Sequence, residues 1–355
     1  MVLRFSQLLT RFCIVIFWVL LIFLFLYIPN ITEKFHSTRS LSIFSWSQEL
    51  DPIYLKQFEQ KTGIKLYISY YETNDELMSK MEATQGKGYD IIIPSDYILP
   101  KFIKRGFLKK LDKSKLNFLN KIDPRLLGHY FDPKNEYSIP YFWAAYGIGF
   151  DIDYFGGREP EATWALVFDP KKMPTRVGMT DNIREAICIT AQYLFGNIDA
   201  LKDPKNLEKV KETLIEQKKR VEVYSEVRAE EMLLAKSCPV AVGLCNEIWR
   251  AARENPDIGF FIPKEGSFLN IDYIVIPKAT EKDDLIYQFI NYLYQPEVSE
   301  HHMEKFGLCP TLITSDSKNG ENFCPTTEEF KLLHFIKDII SKKKLNEVWL
   351  AVMAS

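Results

Sequence analysis

Residues 132–151 read DPKNEYSIPYFWAAYGIGFD, and this stretch decides the fold. It is apolar, rich in aromatic strand formers, and interrupted by Pro140 and by glycines at 147 and 149 that let a backbone or a ligand approach closely. Such a segment predicts a strand crossing beside a binding cleft. Outward from it, strand-like runs occur at 41–45, 65–70, 90–93, 137–150, 221–224, 239–244, 258–262 and 271–276. Helical periodicity occurs at 53–61, 75–83, 182–195, 206–219, 228–236, 247–254, 282–293 and 328–342. This succession of strands and helices predicts an α/β protein, without internal repeats.

At 355 residues the chain exceeds one typical core, which suggests two lobes. Hydrophobic residues at 46 % and charged residues at 26 % are ordinary for a folded protein and argue against disorder. A net charge of −2 excludes the basic excess of a nucleic-acid binder. The basic run at 101–125, from Lys101, Lys104 and Arg105 through Lys109, Lys110, Lys113 and Lys115 to Lys121, reads as solvated surface.

The N-terminus predicts something other than a freely soluble chain. Residues 12–29, FCIVIFWVLLIFLFLYIP, carry no charge and as a helix would span roughly 27 Å, close to the hydrocarbon thickness of a bilayer. Arg4 and Arg11 precede them as in an export signal, but no small-x-small cleavage site follows. The expectation is an uncleaved anchor at 12–29, after a cytoplasmic 1–11 and before a linker at 30–40. Lys34 and Arg39 nearly balance Arg4 and Arg11, so charge alone leaves the orientation open.

Several segments, in order, resemble the polyamine-binding proteins of spermidine/putrescine type that serve bacterial ABC importers. The quoted 132–151 stretch is similar to the segment joining that family's two lobes. IFSWSQELDPIYLKQFEQKTGIKL at 43–66 looks like its first strand, binding loop and helix, and GYDIIIPSDYILPKFIKRGFLKKLDKSKL at 88–116 like its second cleft loop. TDNIREA at 180–186, KEGSFLNID at 264–272 and INYLYQPEV at 290–298 continue the match, so that about 41–310 is covered and the last 45 residues match poorly. The resemblance implies an α/β, two-lobed periplasmic-binding-protein fold of type II, closing by a hinge and here preceded by one transmembrane helix. Lobe 1 would comprise 41–145 plus 268–312, and lobe 2 would comprise 146–267 plus 313–355. It also places the soluble part in the periplasm, as a monomer working with ABC permease subunits.

An organic polycation needs carboxylates for its ammonium groups and aromatic faces for its charge. By resemblance, Trp46, Ser95 and Tyr97 fall on first-lobe ligand contacts, Glu185 and Asp272 on ammonium-binding carboxylates, and Ser225 on a polar contact. Each has a plainer reading: Trp46 as core, Tyr97 as a helix start, and Glu185 as an acid favoured by a helix dipole. Asp272, inside FLNIDYIVIP, is harder to explain that way, because a buried carboxylate demands a partner.

The chain also departs from the family pattern. After Trp46 and Ser47, Gln48 replaces an acid and Glu49 a tyrosine. Asn182 replaces an aspartate, Cys245 and Asn270 replace two aromatic walls, and Leu308 replaces a tyrosine. Glu49 and Glu247 would restore charge from shifted positions, and Trp249 would restore a wall or serve as core.

Cys13 reads as a membrane-buried thiol. Five cysteines remain of the six: Cys188 and Cys245 suit packing, Cys238 has no assigned role, and Cys309 and Cys324 flank a loop that an oxidising periplasm would permit to bridge. No phosphate-loop, zinc-protease or serine-hydrolase motif is present, and His301–His302 reads as helix surface. No enzyme, cofactor or metal is therefore expected. The leading reading is a tethered receptor that hands a polyamine such as putrescine or spermidine to a permease. The alternatives are a receptor for another small cationic solute and a ligand-free anchored sensor or scaffold.

Overall fold

The computed structural model describes residue 14 and residues 16–22, 39–47, 49–224, 229–313 and 323–355. Most of the expected anchor, together with Gln48 and Ser225, lies outside the described residues. The described part of 12–29 is helical, with Phe17, Trp18 and Leu20 largely exposed. Among the described residues, no helix is long and apolar enough to cross a membrane.

The first lobe begins β1 (Ser40–Trp46), α1 (Pro52–Thr62), β2 (Lys65–Tyr71), α2 (Asn74–Thr84), β3 (Ile91–Ile92) and α3 (Leu99–Arg105). Local chemistry sets these boundaries. The Asp51 carboxylate accepts the Ile53 N–H, Pro52 opens α1, and Gly63, at φ 72°, ends it. The long β4 (Ser138–Asp151) then leads to α4 (Ala165–Phe168), β5 (Val177–Met179), α5 (Ile183–Phe195) and α6 (Pro204–Lys218). After these come β6 (Val221–Tyr224), α7 (Ala229–Leu234), β7 (Val240–Leu244), α8 (Cys245–Glu254), β8 (Ile258–Phe261) and β9 (Ser267–Val275). The chain ends with α9 (Asp283–Leu293), α10 (Pro296–Phe306), α11 (Thr327–Phe330), β10 (Leu333–Phe335) and α12 (Lys342–Ala354).

The strands run in the order β2-β1-β3-β9-β4-β7-β5-β6, with β10 beside β9 and β8 beside β4. Within β4, Ser138–Ala145 pairs with β9, and Tyr146–Phe150 pairs with β7. This is the single long strand that the aromatic run predicted. Its glycines admit protein rather than ligand: a Cβ on Gly147 would lie 2.5 Å from the Phe261 carbonyl oxygen, and one on Gly149 would meet Leu233 and Ile248. One core gathers Leu41, Phe58, Phe142 and Phe289, and a second gathers Ile148, Trp164, Ile187 and Val348.

Two expectations are corrected. Residues 328–342 are not one helix: the Thr326–Glu329 capping box starts only the single turn of α11, after which Leu333–Phe335 joins β9 in parallel. Pairing with an available sheet edge overrides local periodicity there. His302 does not lie on the surface but is fully buried. Its Nε2 accepts the Asp51 N–H at 3.1 Å, which leaves the proton on Nδ1 facing the Tyr141 hydroxyl at 3.2 Å. Burial holds its pKa down to about 4. Most of the basic run lies at the surface as read, largely in ion pairs such as Lys109–Asp283, Lys110–Glu136 and Lys115–Asp284, but its first member, Lys101, lines a cavity instead.

Candidate functional site

β1 ends at Trp46, after which Ser47 is exposed and Glu49 is buried against Asp272 of β9. There Glu49 and Asp272 form a coupled pair of buried carboxyls, 5 % and 7 % exposed. Burial, and then the Asp272 charge, push Glu49 well above the usual carboxylate range, although the Ser45 hydroxyl donates to it at 3.0 Å. Burial raises Asp272 to about 7, while Glu49 and the Trp46 indole N–H act in the opposite direction. Asp96, also buried, is raised well above its ordinary value by desolvation, against the lowering effect of the Ile271 N–H.

No Lys, Arg or His among the described residues pairs with Glu49, Asp96 or Asp272. Asp272 Oδ1 and Trp46 Nε1 are buried without a full hydrogen bond among the described residues. By contrast, the equally buried Asp51 has His301 and Lys305 at 2.6 and 2.9 Å; its burial is outweighed by the Ile53 N–H and these partners, and its pKa falls to about 2. Removing carboxylates from water without a cation is costly, so the Glu49–Asp272–Asp96 group has the chemistry of a cation receptor. Tyr71 stands beside it, with its ring 4.4 Å from that of Trp46.

Next to this group lies a cavity of about 610 Å³ between the lobes. Ser95, Asp96, Tyr97, Asn182, Glu185 and Asn270 line it. Trp46, Glu49, Cys245 and Asp272 are not in its wall. Asn270 connects the two regions, its side-chain amide donating to Asp272 at 3.4 Å, and the backbone of Ser95 bridges to Asp272. Ser95 donates to Asn74 Oδ1 at 3.0 Å. Asn182 caps α5 through the Arg184 and Glu185 N–H groups, and the Thr180 hydroxyl donates to Glu185 at 2.9 Å.

Cys245 begins α8 in an apolar cluster, its Sγ 3.7 Å from that of Cys309, and burial raises its thiol to about 12. Cys309 is itself bridged to Cys324. Glu247 accepts the Leu244 N–H, and Trp249 packs beside Arg253 and Gly307 rather than on the cavity.

Sequence reasoning missed Asp338. Its carboxylate accepts the Tyr97 hydroxyl at 2.8 Å and pairs with Lys101 and Arg184 in the cavity wall. It lies in the poorly matching C-terminal segment, where no local signal separates it from an ordinary surface acid.

The profile of the bacterial extracellular solute-binding proteins matches residues 54–322. The chain is 29 % identical to a putrescine-binding periplasmic protein of Pseudomonas aeruginosa, over 85 % of this chain and 88 % of that one. It is 27 % identical to a spermidine/putrescine-binding periplasmic protein of Escherichia coli, over 87 % and 89 %. Among solved structures, a spermidine/putrescine ABC transporter substrate-binding protein of Streptococcus pneumoniae superposes with a TM-score of 0.77 at 26 % identity, covering 89 % of this chain and 99 % of that one. With its strand shared between lobes and its interlobe cavity, the chain belongs to the bacterial extracellular solute-binding protein family.

Proposed function

We propose that this protein is the substrate-binding component of a polyamine ABC importer, taking a cationic amine into its interlobe cleft and delivering it to permease subunits. The observation that carries this reading is the buried carboxyl group of Glu49, Asp272 and Asp96, which lacks a cation among the described residues and stands beside Trp46. An alkyl ammonium supplies the missing charge, and the Trp46 and Tyr71 rings supply faces for it. The names of the relatives point to the same ligand class. Ser47, Gln48, Ser95, Tyr97, Asn182, Glu185, Ser225, Cys245 and Asn270 complete the site in this reading, with Cys245 and Asn270 leaving it less aromatic than the family pattern.

The lobes, at 41–145 plus 268–312 and 146–267 plus 313–355, close by hinge bending, and a ligand touching both favours the closed state. The monomer is tethered to the periplasmic face by an uncleaved 12–29 anchor, supported by the uncharged run in the sequence. Calorimetric titration of the full chain with putrescine, cadaverine and spermidine tests the reading: saturable binding of at least one amine is expected. Absence of heat with all three, from folded protein, would favour the ligand-free scaffold instead.

A further inference from the structure

The Tyr97 end of the cavity is assembled like an ammonium receptor. It offers an aromatic ring, a phenolic hydroxyl and the Asp338 carboxylate, the set of groups that binds an alkyl ammonium. The chain's own side chains already occupy it. The Lys101 ammonium lies 4.3 Å from the Tyr97 ring centroid, donates to the Tyr97 hydroxyl at 2.8 Å and stands 3.3 Å from Asp338. The Arg184 guanidinium lies 4.6 Å from the same centroid and also pairs with Asp338. Two cations therefore share one carboxylate. Further along the wall, Lys342 and Asp75 neutralise each other at 2.7 Å.

The two regions of the cleft are thus opposite in character. Around Glu49 and Asp272, carboxyls lack cations; around Tyr97, cations outnumber the carboxylate that holds them. A ligand ammonium reaching Tyr97 must displace side chains tethered at high effective concentration, or remain beside them against like charge.

We propose that Lys101 and Arg184, held on Tyr97 by Asp338, close this end of the cleft to ammonium groups. The site then selects short diamines, with their charge at the acidic end, over longer polyamines carrying a third ammonium. Lys101 and Asp338 are in this sense specificity-determining residues. The inference rests on the polyamine reading above and adds ligand length to it.

The test is calorimetry on the full chain and on Lys101→Gln, with Lys104→Gln as a control that removes an exposed positive charge outside the cavity wall. The probes are putrescine and spermidine. Wild type and Lys104→Gln are expected to favour putrescine, and Lys101→Gln to shift the ratio of dissociation constants roughly fivefold toward spermidine, the scale of one partly exposed charge. Asp338→Asn, which frees both cations into the cleft, is expected to weaken both amines. An unchanged ratio in Lys101→Gln, or a wild type that prefers spermidine, overturns the selectivity while leaving amine binding intact. Wild type that binds neither amine overturns the polyamine reading itself, and the selectivity with it.

Discussion

At the scale of single residues, Asp272 links stability, pH and binding. Its folded pKa of about 7 lies above the ordinary aspartate value, because burial disfavours the charge by more than the Glu49 and Trp46 hydrogen bonds favour it. The folded protein therefore holds a proton that the unfolded chain releases, and the associated stability is lost as pH rises through about 7. His302 acts in the opposite direction: held down to about 4, it contributes stability above its ordinary value of 6.5 that is lost as pH falls below it. Asp51, at about 2, matters only below the ordinary aspartate range. The cleaner window is thus about pH 7 to 8, where His302 is mostly neutral in both states. In that window the ligand-free protein is expected to lose melting temperature as pH rises, and Asp272→Asn to flatten the slope. Amine affinity should rise over the same range, since the cation binds the ionised pair. Asp272→Asn should also weaken amine binding roughly 10- to 150-fold, the worth of a charge-assisted hydrogen bond. Parallel pH dependences of melting temperature for the variant and wild type would argue against a proton held on Asp272 in the folded state.

At the scale of elements, the C-terminal segment depends on two fastenings. β10 adds to the edge of β9, and Cys324 is bridged to Cys309, 15 residues earlier in the chain. The bridge anchors the segment that carries Asp338 into the cavity wall and α12 onto α5 and α6. Closing a loop of this length is worth about 3 kcal/mol. Cys324→Ser is therefore expected to lower unfolding stability by about that amount in denaturant titration. With Cys245 Sγ only 3.7 Å from Cys309, peptide mapping of this variant under oxidising conditions should recover a Cys245–Cys309 bridge. A stability loss below about 0.5 kcal/mol would show that strand pairing alone holds the segment.

At the scale of the whole molecule, the lobes meet on the side of α8 as well as through β4. Arg250 and Arg253 donate to carbonyls of Phe306 and Glu304 at the C-terminal end of α10, where a helix dipole favours cations. If ligand biases a hinge, saturating amine should reduce the radius of gyration in small-angle scattering. Unchanged dimensions would count against the clamp while leaving binding intact. The anchor is tested separately: the intact mass of protein from the membrane fraction should include residues 1–30, and a soluble form starting near residue 30 would refute it.

The strand over 137–150 and the helices over 53–61 and 182–195 were legible in the sequence, because strand propensity and helical periodicity act between neighbours in the chain. Asp272 was marked by its position inside an apolar run, where a carboxylate has to be accounted for. Which groups stand without a cation, however, was decided only by the tertiary structure. Asp51 and Asp272 are alike in type and burial, yet α10 brings His301 and Lys305 to the first, and no element among the described residues brings a cation to the second. The same holds for Asp338, which is 241 residues from Tyr97 in the chain and 2.8 Å from its hydroxyl in space. Contacts of that separation depend on how β10 and α12 pack against the sheet and helices, and local sequence carries no record of them.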